Sequence, residues 1–481
     1  MLEIANTSRE PTFGFTDDQL KAYNDLISFI KEPFNKNDAK RALTGPAGTG
    51  KTFLVKALIK NCGLSYSTIG LSAPTHKAGR VLNESINIRN LNINTLQSDL
   101  GLKINYNVDN FDINNPPFDP YGRVKIGDYK LYIVDEASMI NRDLCLFLEK
   151  TCIKNETKLL YIGDASQLPP PKEYYSPAFK GIKMNTLTQI VRQGDDNPVS
   201  DLLVILRNDI KNKTFKFLEY ISKNRERYNN DHTKGFEVCN EEDFKNKVIE
   251  EFTNEQLTSN IDLVKVIAYT NAQVSAWNKF IRSVIIKDNN KSIITKNDLL
   301  TSYITIVDAF NQPIIKNSEE YILKDVVNYV HPKYDLKGFM VRLIAIHGGE
   351  VTTPLFIIDH TDQFTLTKYV QISNHLINEA KHASSGMKGG KWQEYYEFKE
   401  KCLTLVNIKT TSGDVFNRSL DYGFALTAHK SQGSTFDTTL VDVNNIVFDK
   451  NGTLYNNAEE LNRRLYVACS RTKNKLYLKY G

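Results

Sequence analysis

The stretch Arg41-Ala42-Leu43-Thr44-Gly45-Pro46-Ala47-Gly48-Thr49-Gly50-Lys51-Thr52 decides the fold, because its last eight residues match GxxxxGK(S/T) in full. Gly45, Gly48 and Gly50 let successive backbone N–H groups point inward at phosphate oxygens with no Cβ in the way. Pro46, Ala47 and Thr49 complete the loop, and a helix expected from Thr52 to Lys60 turns its positive N-terminal end to the same spot. Lys51 offers a movable cation for the β- and γ-phosphates, and the Thr52 hydroxyl a ligand for Mg2+. ATP with Mg2+ is therefore the expected ligand of a P-loop.

Working outward, Thr16-Asp17-Asp18-Gln19 has the S/T-x-x-E/Q form of a capping box and opens an apolar-periodic helix (Leu20, Tyr23, Leu26, Ile27, Ile30). Tyr66 to Ala73 reads as the next strand. The same grammar recurs at Lys130 to Glu136, a helical Leu144 to Ile153, and a strand from Leu159 to Asp164, which predicts a parallel sheet buried on both faces. Between these blocks, Asn105 to Gly127 is rich in Asn, Asp, Pro and Gly and reads as an inserted loop or hairpin.

Further on, Asn224 to Gly235 reads as a polar surface excursion, and Val264 to Tyr269 as the first strand of a second sheet followed by a helix from Val274 to Ile286. Residues 290–415 change to short β-type runs (Tyr303 to Val307, Val341 to Ile346, Leu355 to Ile358), a β-rich insertion. Within it, helical segments Ile372 to Ala383 and Trp392 to Cys402 flank a flexible Ser384 to Gly390. Strands near Phe424, Thr438 and Lys475, with a helix from Leu461 to Ser470, complete the second sheet. The expected class is α/β: two RecA-like P-loop domains, a hairpin insertion in the first and a small β-barrel-type insertion in the second. The expected bounds are 1–14 as an extension, 15–200 for the first domain with its hairpin at about 101–128, 201–260 as a connecting segment, 261–292 with 415–481 for the second domain, and 293–414 for its insertion.

Composition agrees with several ordinary cores: 481 residues, 41% hydrophobic and 24% charged. No apolar stretch reaches the roughly 20 residues of a membrane span, and the N-terminus lacks a signal-peptide pattern, so a cytoplasmic location, host cytoplasm for a phage-encoded chain, and no membrane partner are expected. The six cysteines, Cys62, Cys145, Cys152, Cys239, Cys402 and Cys469, have no zinc-ligand spacing and read as buried thiols. A net charge of +5 does not by itself signal a polyanion partner, so any such site is a local groove.

Ile133-Val134-Asp135-Glu136 ends an apolar strand in two carboxylates, where a Walker B element belongs. Asp135 is placed to hold magnesium and Glu136 to orient and deprotonate a water. Together with Ala73-Pro74-Thr75-His76-Lys77, Gly163-Asp164-Ala165-Ser166-Gln167-Leu168-Pro169-Pro170, Leu426-Thr427-Ala428-His429-Lys430-Ser431-Gln432-Gly433-Ser434 and Tyr466 to Thr472, these residues resemble superfamily 1 helicases of the RecD-like subclass, most of all Dda-type chains.

The resemblance implies roles. Gln19 matches the glutamine that reads adenine, beside its own reading as the third member of a capping box. Gln167 matches the γ-phosphate sensor. Arg192 and Arg471 match the arginines set against the γ-phosphate, with Arg471 completing the site on domain closure, and Gly433 falls on the nucleotide-binding side. Pro74, Thr75, His76, Thr95, Thr427, His429 and Ser431 match the single-strand contacts, whereas Gln97 departs from the family's histidine. Phe111 is the wedge candidate of the duplex-splitting hairpin, with packing onto the first domain as its competing reading. The implied activity is ATP-dependent 5′ to 3′ translocation on single-stranded DNA and unwinding of forked duplex DNA by a monomer in phage-type replication or recombination. A single-strand-binding protein or replisome component is the expected protein partner. A translocase or RNA helicase and a non-hydrolytic nucleotide switch remain the alternatives.

Overall fold

A computed structural model describes residues 14–104, 118–119, 122–170, 173–189, 191, 196–254, 263–286, 292–308, 313–410 and 415–481. They form two compact units: the first runs to Pro74 and includes Ala78–Leu100 and Val124–Asp195, and the second comprises Thr75–Lys77, Gly101–Arg123 and Asp196–Gly481.

In the first unit α1 (Asp17–Lys31) begins with the full reciprocal capping box of Thr16 and Gln19 and has Asp17 and Asp18 in its first turn. Its last carbonyls, those of Phe29, Ile30 and Glu32, accept from Lys158 Nζ. There follow β1 (Lys40–Thr44), α2 (Lys51–Asn61), β2 (Ile69–Ala73), α3 (His76–Ile86), β3 (Asn92–Thr95) and α4 (Leu96–Asp99). Two short strands, β4 (Lys103–Ile104) and β5 (Phe118–Asp119), pair antiparallel as the base of the expected hairpin and group with the second unit. The first unit resumes with β6 (Leu131–Val134), α5 (Arg142–Lys154), β7 (Lys158–Gly163) and β8 (Met184–Thr186). The six sheet strands run parallel in the order β3-β2-β6-β7-β1-β8. β2, β6 and β7 are buried at every position, as expected of strands covered on both faces.

The second unit opens with α6 (Val199–Asn212), α7 (Lys216–Lys223), β9 (Glu226–Tyr228), β10 (Gly235–Cys239), α8 (Glu241–Phe252), β11 (Val264–Ala268) and α9 (Asn271–Ile285). Next come β12 (Leu299–Ser302), β13 (Ile306–Val307), β14 (Pro313–Ile315), β15 (Glu320–Val330), β16 (Lys337–Ala345) and β17 (Leu355–Ile358). Then α10 (Gln363–His382), α11 (Ser385–Lys401), β18 (Ile408–Lys409), β19 (Val415–Phe416), β20 (Leu420–Tyr422), β21 (Ala425–Thr427), β22 (Phe436–Asp442), α12 (Val443–Val447), α13 (Ala458–Cys469) and β23 (Thr472–Lys479) complete the chain. One sheet has the order β21-β11-β22-β23-β10-β9, parallel except for β9, and an antiparallel sheet has the order β17-β16-β15-β12-β20.

Five expectations need correction. The strand expected from Tyr66 starts at Ile69, because Tyr66–Thr68 is a 3-10 turn closed by Thr68 Oγ1 on Ser65 O at 2.8 Å. Val264 does not begin the second sheet: the polar excursion contains β9, hairpin-paired to β10. Gly235 there lies so close to Arg227 that a Cβ would stand 2.3 Å from its carbonyl oxygen. Charged residues on an edge strand hid this from a search for apolar runs. Leu403 pairs with Ile357 of β17, and Thr404 O accepts from Ser419 N at 2.9 Å and Leu420 N at 3.0 Å. Residues 403–404 thus join β17 to β20, the two ends of the insertion's sheet, in the barrel-type closure expected. Since β20 belongs to that sheet, the insertion reaches Tyr422, past the bound expected at 414. Finally, Ser385 to Gly390 is the first part of α11, and of the β run expected from Tyr303 to Val307 only Ile306–Val307 is strand, as β13, with β12 ending just before it at Ser302.

The glycine-bearing turn of α11 is helical despite a propensity cost of about 1 kcal/mol per glycine, because the rest of the helix is anchored. Trp392, Tyr395 and Phe398 are buried with Tyr369 and Ile377 of α10 in one apolar cluster. Trp392→Ala is expected to destabilise this cluster by about 3–5 kcal/mol, read as a lowered denaturant midpoint for the transition that exposes the α10–α11 aromatics.

Candidate functional site

β1 delivers the P-loop. Gly45 N donates to Gly163 O at 3.2 Å and Thr44 Oγ1 accepts from Ala165 N at 3.0 Å, so the loop starts fastened to the end of β7. Gly48 and Gly50 have φ of +83° and +78°, a left-handed backbone that a side chain would strain. Gly45 is needed for space: a Cβ would lie 2.8 Å from Leu187 O and from Thr49 Oγ1. α2 begins after Gly50 with no side-chain cap, leaving its first N–H groups for a ligand. Lys51 Nζ lies over the loop, donating to Gly45 O at 2.5 Å and Pro46 O at 2.9 Å. Pro46 and Thr52 are half-buried, Ala47 is exposed, and Thr49 is buried with its hydroxyl donating to Pro46 O at 2.9 Å.

Gln19 uses both ends of its amide. Oε1 accepts from Thr16 N at 3.1 Å and Nε2 donates to Thr49 O at 2.8 Å, with the residue 1% exposed. The capping-box reading is realised, and the same side chain braces the P-loop.

At the end of β6 the backbone turns sharply. Asp135 N donates to Ser72 O at 2.8 Å, and Glu136 then takes φ +50° and ψ +37°. A non-glycine residue held there costs about 1–3 kcal/mol. Glu136 Oε2 is buried and has no hydrogen-bond partner among the described residues. Burial first, and the neighbouring Glu136 charge second, push the Asp135 carboxyl well above the usual carboxylate range, against the pull of Lys51. A strained turn with an orphaned carboxylate oxygen suits a water to be polarised, and Thr52 with Asp135 suits the oxygen preference of magnesium. Among the described residues there is no group of three or more His, Cys, Asp or Glu that could hold a metal ion.

The loop after β7 adds Gln167, 8% exposed, whose N–H donates to Asp164 O at 3.1 Å, while Asp164 Oδ1 accepts from Ser166 N at 2.9 Å. Asp18 is a residue that sequence reasoning missed. Its carboxylate accepts from Thr188 N at 2.6 Å, Gln189 N at 3.0 Å and Thr188 Oγ1 at 3.2 Å. Burial works against the charge, but hydrogen bonds from Thr16, Gln189 and Thr188 outweigh it and bring Asp18 down to about 2. Only its place as the second acid of a capping box could have drawn attention to it. It holds the segment that leads toward Arg192, and Val191 N donates to Gly48 O at 2.9 Å. Arg192 itself and Phe111 lie outside the described residues.

The strand-contact residues divide. Pro74, Thr75 and His76 are half-buried, and Thr95 caps α4 through Ser98 N at 3.4 Å. Thr427 Oγ1 accepts from Lys430 N at 3.2 Å, and His429 tilts against Tyr269 with ring centroids 6.2 Å apart. Burial first, then nearby cations, Lys316 for His76 and Arg464 for His429, lower both imidazole pKa values, so both rings are neutral at pH 7. Ser431 is a correction: it is fully buried and its hydroxyl donates to Ala428 O at 2.9 Å, closing the turn that carries His429 instead of facing outward. Gly433 follows with φ +72°. Arg471 is 5% exposed, its guanidinium donating to Val467 O at 3.1 Å, Ser434 O at 3.2 Å and Ser470 Oγ at 2.8 Å within its own unit.

The family model described as an AAA domain matches residues 25–223. The ATP-dependent RecD2 DNA helicase of Deinococcus radiodurans is 34% identical over 33% of this chain and 20% of its own length. The ATP-dependent DNA helicase dda of Enterobacteria phage T4 is 31% identical over 40% of this chain and 42% of its own. Over these segments the chain is similar to superfamily 1 helicases related to RecD and Dda. Uncharacterized protein R530 of Acanthamoeba polyphaga mimivirus is 25% identical over 96% of this chain and 98% of its own length, so the similarity extends beyond the helicase motifs. Among the described residues no helix is long and apolar enough to cross a membrane.

Because the Glu136 charge is one of two causes that raise the Asp135 pKa, Glu136→Gln is expected to lower it in the nucleotide-free, metal-free protein. Side-chain carboxyl NMR across pH 4–9, a range about the ordinary aspartate value of roughly 3.9 and above, reads this directly. An Asp135 midpoint that does not move would contradict the coupling.

Proposed function

We propose that this chain is an ATP-dependent DNA helicase that moves 5′ to 3′ on single-stranded DNA and unwinds forked duplex. The observation that carries the reading is at the carboxyl ends of β1, β6 and β7. There an uncapped P-loop helix, a strained Glu136 with an orphaned carboxylate oxygen, and Gln167 gather around one backbone framework. A nucleotide switch has no need of a base and a γ-phosphate sensor at the same edge. The polarity and the setting, phage-type DNA replication or recombination, rest on the RecD-like and Dda relationship alone.

In this reading the backbone from Gly45 to Thr52 cradles the triphosphate, and Lys51 exchanges the carbonyls of Gly45 and Pro46 for β- and γ-phosphate oxygens. Thr52 and Asp135 would hold Mg2+, which neutralises phosphate charge when bound. Glu136 takes a proton from the attacking water and Gln167 senses the γ-phosphate, while Gln19 and Gly433 contribute to the nucleotide site. Arg192 and Arg471 stabilise the charge that develops on transfer; Arg471 must first exchange its carbonyl partners for phosphate oxygens. Pro74, Thr75, His76, Thr95, Thr427 and His429 contact the strand. The neutral imidazoles hydrogen-bond phosphates without adding charge, consistent with a chain of only +5. Phe111 is the proposed wedge. The reading carries the bounds 15–200 for the first RecA-like domain and 261–292 with 415–481 for the second, amended by the placements of β9, β10 and β20, with a monomer and a single-strand-binding or replisome partner.

Lys51→Ala is expected to abolish ATP hydrolysis and leave salt-sensitive strand binding within about threefold, since its charge serves the nucleotide. Strand separation on forks with a single 5′ or 3′ tail tests activity and polarity together. Unwinding only from 3′ tails would reverse the polarity, and stimulation by RNA but not DNA would change the substrate.

A further inference from the structure

Glu320 opens β15 in the β-rich insertion and is 3% exposed. Two ammonium groups converge on it: Lys265 Nζ of β11 at 2.7 Å from Oε1, and Lys77 Nζ of α3 at 3.1 Å from Oε2. Lys265 is as buried as the glutamate, at 1% side-chain exposure, and also donates to Gly423 O at 2.9 Å. Both ammonium groups sit over the Phe436 ring, 5.5 Å from its centroid for Lys77 and 5.7 Å for Lys265. Burial alone would raise the Glu320 pKa, but the charges of Lys265 and Lys77 hold it down at about 2.

Lys265 and Glu320 already make a buried pair, and Lys77, from a distant part of the chain, adds a second ammonium group to the same carboxylate. What Lys77 achieves is placement. It directly follows Thr75 and His76, and the three group with the second unit, away from the rest of α3. Lys316 and Glu319, the charges that act on His76, come from the same turn as Glu320.

We infer that Glu320 is a positioning residue: through Lys77 it clamps the Thr75–Lys77 segment so that Thr75 and His76 are preset for a nucleic-acid strand, which gives the β-rich insertion a role in strand binding. The inference rests on the helicase reading above. Presetting two side chains removes part of the ordering cost of binding and has no bearing on turnover once the strand is bound.

Lys77→Met tests it, because it leaves Lys265 and Glu320 as a balanced pair and the fold intact. With an oligothymidylate as probe, the strand concentration for half-maximal ATPase is expected to rise about tenfold. The thermal midpoint, the strand-free ATPase and kcat at saturating strand should stay at wild-type values. Glu320→Gln should shift half-saturation in the same direction, and the double variant should be no worse than the weaker-binding single one. The slope of log affinity against log salt should not change in Lys77→Met. A slope reduced by about 0.7 would mean that Lys77 contacts a phosphate itself and would overturn the positioning role. An unmoved half-saturation, or a parallel loss of strand-free ATPase and thermal stability, would overturn it as well. If wild-type ATPase ignores both DNA and RNA strands, the helicase reading falls and takes the inference with it; a stimulated wild type with an unmoved Lys77→Met removes only the inference.

Discussion

Parallel pairing of β1 with β7 on one side and β8 on the other is the constraint on which the first unit's chemistry depends. A parallel ladder brings every strand to the same edge with its carboxyl end, so loops far apart in sequence emerge together. Through it Thr44 stands beside Gly163, Gly45 donates to the Gly163 carbonyl, and Thr44 Oγ1 accepts from Ala165. The P-loop and the loop bearing Gln167 are thus bonded to each other before any ligand arrives. β6, on the other flank of β7, adds Asp135 and Glu136 to the same edge.

That edge stores its polarity in the backbone as much as in side chains. Glu136 is in a left-handed conformation and its Oε2 is buried without a hydrogen-bond partner among the described residues, two unfavourable features at one position. Asp135, beside it, is kept from ionising easily by burial and by its neighbour. Lys51 meanwhile rests on two loop carbonyls, a cation held by neutral oxygens that stronger anionic partners can displace. These groups are poised, in the sense that each has a better partner available in a phosphate, a water or a divalent ion. The second unit balances its polar groups differently. Arg471 and Ser431 spend their donors on nearby backbone and hydroxyl groups, and Glu320 balances more than its own charge.

Much of this was legible from residues alone. The P-loop match, the capping box at Thr16 and Gln19, and the apolar runs ending in Asp135-Glu136 and Gly163-Asp164 are local patterns whose physics is local too. The structure reproduces the elements that they predict within a few residues. Legibility failed where an element owes its existence to a neighbour. Glu226–Tyr228 is a strand because β10 pairs with it, and Ser385 to Gly390 is helical because Trp392, Tyr395 and Phe398 anchor the turns that follow. At the site, Asp18 escaped notice because its partners lie some 170 residues away. A motif specifies residue types and not which way a hydroxyl points, and Ser431 turns its own onto Ala428 O.

The sequence by itself determined that this chain binds nucleotide phosphates on a parallel α/β framework, because glycine spacing, strand patterning and helix caps act over a few residues and tolerate one backbone solution. Only the tertiary structure decided how those groups are held. Gln19 braces Thr49, Asp18 holds Thr188 and Gln189, and Glu320 gathers lysines from positions 77 and 265. Such long-range pairs leave no trace in local periodicity, since a buried charge is placed by whichever distant partner offsets the cost of removing it from water.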